Sequence, residues 1–159
     1  MLAAIALYDL VLWVHVSAVV ASFGLTLLYP VLMTSARQGG ERALPALHWL
    51  VGAWGARMVS TGGFVVLAAG LYLALDGPYE FSDPWIGASL LILIVLGGLA
   101  GGYFAPRERR LSELASRDLG GGALSPEYLS LARSVSVLSW LAALLVVVAL
   151  FLMVVKPGA

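Results

Sequence analysis

An all-α fold, an integral membrane four-helix bundle, is what this sequence predicts, and three observations predict it. Of 159 residues, 61% are hydrophobic and only 11% charged. That is less than half the roughly one-quarter a water-covered domain carries, so much of the surface must face lipid. The apolar residues gather into long runs, each exceeding the ~20 residues a helix needs to cross the hydrocarbon. Helix-stopping residues and charges separate the runs, which together use the chain, 1–159, as a single transmembrane domain.

The first span covers about residues 8–33 and is closed by Arg37 and Gly39–Gly40. Met1 to Tyr8 contains no basic residue, and the apolar stretch after it is too long for a signal peptide, so it reads as a retained helix. The second span, 45–75, begins near Leu44 or Pro45 and stops at Asp76-Gly77-Pro78, where proline lacks the donor and glycine accepts the left-handed cap. The third, 84–105, opens with Asp83 as a cap and Pro84 at the first helical position. The fourth, 127–155, opens at Ser125-Pro126-Glu127 and ends before Lys156-Pro157-Gly158. Residues 106–125 between them form a basic segment. Leu111 and Leu114 leave two readings open there, a solvated loop or a short interfacial helix ended by Gly120-Gly121-Gly122.

Basic residues set the orientation. Arg37 and Arg42 lie in the first connection, and Arg107, Arg109, Arg110 and Arg117 in the third. The second connection carries Asp76, Glu80 and Asp83 and no Lys or Arg. The positive-inside rule therefore predicts connections one and three in the cytoplasm, both termini outside, and a multi-pass protein of the plasma membrane. A formal net charge of zero gives no case for a nucleic-acid partner, and the absence of cysteine excludes disulfides, thiolate metal sites and covalent c-type haem.

Few residues are candidates for chemistry. At about 100° per residue, Tyr8, His15, Ser22, Thr26 and Tyr29 share one stripe of span one, which lipid would penalise and which should point into the bundle. Pro30 frees the Thr26 carbonyl on that stripe, where the helix can kink. His15 is read either as a neutral imidazole bonded to a neighbouring helix, as a haem-iron or other metal ligand, or as part of a proton relay. A hypothetical cofactor pocket comprises His15, Ser22, Thr26, Tyr29 and Arg57, with Arg57 open to the alternative of snorkelling to the interface. His48, near Trp49 and Trp54 and roughly 20 Å in depth from His15 by helical rise, is expected in the interfacial aromatic belt. Asp9 and Lys156 are placed to pair across spans one and four. Gly97, Gly98, Gly101 and Gly102 make a small-residue face for close helix packing, within the bundle or between protomers.

Leu12-Trp13-Val14-His15, Gly70-Leu71-Tyr72, Trp85-Ile86 and Met153-Val154-Val155-Lys156-Pro157-Gly158 resemble a family of small integral membrane proteins of unknown function, grouped with copper-resistance protein D and HemJ-type membrane proteins. HemJ-type protoporphyrinogen oxidases are four-helix haem proteins with a histidine in the first span and a Tyr-Leu-Pro-Arg segment. His15 and Tyr29-Pro30 are similar to these, which implies haem b bound through His15. Val31 stands where that arginine would be, and the essential lysine of a later span has no counterpart, so oxidase activity does not carry over.

Three functions compete at this level. The first is a non-enzymatic bundle acting by association with itself or a membrane partner subunit, favoured by the glycine face and the lack of paired carboxylates or nucleophile constellations. The second is a b-type haem or metal-binding redox module on His15. The third is a small proton or ion conduit, ranked last because no acidic residue falls inside a span.

Overall fold

The computed structural model describes residues 7–157. The amino-terminal stretch weighed as a signal peptide lies mostly outside the described residues, as does Gly158 of the terminal motif. Four helical rods long and apolar enough to cross a membrane span Leu7–Gly39, Glu41–Asp76, Pro84–Gly120 and Pro126–Val155. The fold is an all-α membrane bundle, with no strand among the described residues.

The first rod is α1 (Leu7–Gly39), which continues through Pro30. The second comprises a 3-10 turn at Glu41–Ala43, α2 (Leu44–Leu50), a π-helical turn at Val51–Gly55 and α3 (Ala56–Asp76). The third comprises α4 (Pro84–Gly98), a second π-helical turn at Leu99–Phe104 and α5 (Ala105–Gly120). The fourth is α6 (Pro126–Val155), whose first turn is capped by Ser125 Oγ accepting from the Tyr128 amide at 3.2 Å. Pro106 offers no amide to the Gly102 carbonyl, which accounts for the rewinding of the helix at the second π turn.

Rod three differs from a span followed by a basic loop. Residues 105–120 remain helical, and only a short turn links them to α6. Their charges conceal a stripe at Glu108, Leu111, Leu114, Ala115 and Asp118, whose three- and four-residue spacing places them on one buried face. That face packs on α2 and α6, in a core with Tyr29, Met33, Leu44, Tyr128 and Val135. A second core, around Phe23, Val66, Leu96 and Val146, fills the middle of the bundle.

In lipid, apolar side chains gain little by leaving their solvent, so close approach and interhelical hydrogen bonds carry more of the packing. Gly62 illustrates this on α3. A Cβ there would fall 1.7 Å from Ser22 Oγ and 2.9 Å from Ser22 Cβ, so only glycine admits α1 at this distance. The face at Gly97, Gly98, Gly101 and Gly102 is different, since a Cβ on any of these glycines meets nothing within 4 Å. It makes no close helix contact within the protomer.

Candidate functional site

The polar stripe of α1 faces inward, with His15, Ser22 and Tyr29 buried. His15 ties α1 to α3, its Nδ1 donating to the Val66 carbonyl at 3.0 Å. Gly70 makes room for the ring, because a Cβ there would lie 3.0 Å from His15 Cε1. Two segments that carry the sequence resemblance, around His15 and Gly70, therefore meet face to face. The bond to Val66 satisfies Nδ1 and makes it an interhelical tie.

The expected pocket assembles only in part. Ser22, Thr26 and Tyr29 line a cavity of about 70 Å³ between all four rods, and its remaining polar wall comes from Glu108 and Ser139. His15 does not line it. Arg57 is exposed, with its guanidinium 5.6 Å from the centroid of the exposed Trp54 ring. That placement matches an arginine snorkelling beside an interfacial aromatic. Asp9 is exposed, and Lys156 directs its ammonium to the Tyr79 hydroxyl and over the Tyr79 ring rather than to Asp9. Both π-helical turns border the cavity, through Val51 and Gly55 and through Ala100 and Phe104. Such turns recur at functional sites because the extra residue rotates the following side chains.

The main departure from expectation is His48, which is fully buried rather than in the aromatic belt. Trp49 and Trp54 are exposed as belt residues, whereas His48 turns inward and faces α5 and α6. Its Nδ1 donates to Glu108 Oε2 at 2.6 Å, and its Nε2 is 2.9 Å from the Tyr128 hydroxyl. Tyr29 donates to the other carboxylate oxygen, Glu108 Oε1. Glu108, His48 and Tyr128 all have zero exposure. A continuous chain of Tyr29, Glu108, His48 and Tyr128 thus crosses the basic end of the bundle, built from α1, α5, α2 and α6.

Gly52 lets α5 come this close. A Cβ there would lie 3.1 Å from both the Arg109 amide nitrogen and Glu108 Cβ. Arg37 of α1 reaches the same end of the bundle, where its Nη2 donates to the Ala132 carbonyl of α6 at 3.3 Å. At the α5–α6 junction, outside the spans, Asp118 Oδ2 accepts from the Ser125 amide at 2.8 Å, and Oδ1 accepts from Arg117 Nε at 2.9 Å. Hydrogen bonding from Ser125, reinforced by Arg117, holds the Asp118 carboxyl below the ordinary carboxylate range.

The chain joins a phenol, a carboxyl, an imidazole and a second phenol end to end, each within hydrogen-bond reach of the next, so the connectivity needed to pass a proton is present without rearranging the helices. The signal in the sequence for this cluster is the spacing of Glu108, Leu111, Ala115 and Asp118, which marks a buried helix face within a charged segment; Tyr128 and the inward turn of His48 carry no such mark.

No group of three or more His, Cys, Asp or Glu side chains suited to a metal occurs among the described residues. No curated protein and no solved structure matches the chain. A family model does, over residues 9–157, which takes in every rod and both polar clusters. The chain belongs to the family described as predicted integral membrane protein (DUF2269).

Proposed function

We propose that this chain is a non-enzymatic membrane module that holds and relays a proton through its polar core, with Glu108 and His48 as the exchanging pair. The observation that carries this reading is the fully buried 2.6 Å contact between His48 and Glu108, at the floor of a cavity shared by all four rods. Glu108 supplies a buried acid at the basic end of the third rod, bonded to His48 and Tyr29, and Tyr128 extends the chain beyond His48. The reading places the basic end in the cytoplasm of a cell whose plasma membrane holds the protein, with both termini outside. In sealed liposomes carrying an internal pH dye, an imposed potential should drive proton flux above that of empty liposomes. Glu108→Gln should reduce the flux to the empty-liposome level, and equal flux in both proteins would refute the relay.

One observation favours a second reading, haem b held by His15. The Val66 carbonyl takes up Nδ1 and fixes the tautomer, so Nε2 is the nitrogen directed to iron, the arrangement common among ligating histidines. The fit is partial, because His15 does not line the cavity between the four rods. A haem would lie against the outer surface of the bundle or between protomers. A Soret band in purified protein that His15→Ala removes would support it, and a colourless protein from haem-replete cells would sink it. Self-association is supported by the vacant glycine face of α4 and its π turn.

A further inference from the structure

We propose that Phe23 and Leu96 form an apolar barrier between two chambers stacked along the bundle, and so decide whether a proton at Glu108 reaches the far end. This rests on the relay reading above. The first chamber is the 70 Å³ cavity that ends on Glu108. A second, of about 30 Å³, lies toward the opposite end. Phe23 and Leu96 line both, and they are buried together in the central core.

The linings follow one order along each helix, so the chambers are stacked. On α1, Val19 faces the far chamber, Phe23 faces both, and Thr26 and Tyr29 face the inner one. On the third rod, Ser89 faces the far chamber, Leu96 both, and Ala100 and Glu108 the inner one. The α3 positions Val66 and Val59, and the α6 positions Val146 and Ala142, divide in the same sense. Four helices thus place the boundary at a common level, with a phenyl ring and a leucine across it.

Polar groups wait on both sides of the boundary. The inner chamber has Ser22, Thr26, Tyr29, Ser139 and Glu108. The far chamber has Ser89, whose buried Oγ has no hydrogen-bond partner among the described residues. A buried hydroxyl left alone costs free energy that a water molecule removes, and the far chamber is large enough to hold one. The two residues that both chambers share, Phe23 and Leu96, are apolar, and apolar constrictions of this kind gate by excluding water. A proton leaving Glu108 passes to an inner water, and its onward passage is the slow step of the wild-type flux. To go further it needs a water where the Phe23 ring sits.

Removing the ring opens the path. In proteoliposomes, Phe23→Ala should raise proton flux about tenfold or more over wild type, and Leu96→Ala, on the facing rod, should act in the same direction. Flux in both variants equal to wild type would overturn the barrier. Because the chain has no cysteine, Ser89→Cys provides a test independent of flux. Silver ion, a small thiol probe, added from the basic end should leave this thiol free in the wild-type background and block it in Phe23→Ala, read by maleimide labelling after denaturation. Blocking in both backgrounds would also overturn the barrier. Phe23→Ala combined with Glu108→Gln separates this proposal from the relay. High flux retained in the double variant upholds the barrier and refutes Glu108 as carrier, while flux lost in the double variant supports both.

Discussion

Truncating Glu108 is the sharpest test of the polar core, because the structure assigns different costs to different replacements. Glu108→Ala leaves two buried donors, Tyr29 Oη–H and His48 Nδ1–H, facing an empty space. An unsatisfied buried donor costs about 1–3 kcal/mol, which places this variant at about 3 kcal/mol of destabilisation, at the lower end of measured costs for breaking a buried pair. Glu108→Gln keeps the shape. Its carbonyl accepts from Tyr29, its amide donates to His48 Nδ1, and His48 changes tautomer to donate to Tyr128. The bonds survive and only the charge is lost, so the cost should be about 1 kcal/mol. Reversible unfolding in detergent micelles, measured for both variants and for the Glu108→Ala/His48→Ala cycle, resolves these numbers. The coupling between the two sites should exceed about 1 kcal/mol, as for residues in one hydrogen-bond network. Alanine and glutamine variants of equal stability, or coupling below about 0.5 kcal/mol, would refute a buried bonded pair.

Further outcomes follow from the same geometry. Gly52→Ala should destabilise by about 1–3 kcal/mol, as overpacking does, because the new methyl meets the Arg109 backbone. Gly97→Ala, with no neighbour to strike, should cost nothing within the protomer, and any loss it causes should appear as lost dimer in sedimentation. Asp118 has a folded pKa below its unfolded one, so its unfolded state binds more protons as pH falls. Its contribution to stability is present above the ordinary carboxylate range near pH 4 and disappears as pH drops through the lowered value. Asp118→Asn should therefore flatten the acid limb of unfolding measured against pH. At the far end, Tyr79→Ala should weaken the protein by about 1 kcal/mol through the lost ammonium–ring contact, and Asp9→Asn should be silent in the same unfolding assay.

Four membrane-spanning rods and the inward direction of the α1 stripe are legible in composition and pattern alone. Composition and helix-stop signals are local properties, and a polar stripe has no stable alternative in lipid. His15 bonding to a neighbouring helix was among the readings open at that level. Its partner, Val66, was not legible, because a backbone carbonyl carries no mark in sequence. Tertiary structure alone decided the fate of Glu108 and His48. Each lies among residues that suggest an interface, Glu108 among arginines and His48 beside tryptophans. What buries them is the docking of α5 on α2, permitted by Gly52 and driven by Leu111, Leu114 and Ala115. That docking brings together groups 60 and 80 residues apart in the chain. Spacing within one helix does not encode which other helix it will meet, and the buried polar chain forms only at that meeting.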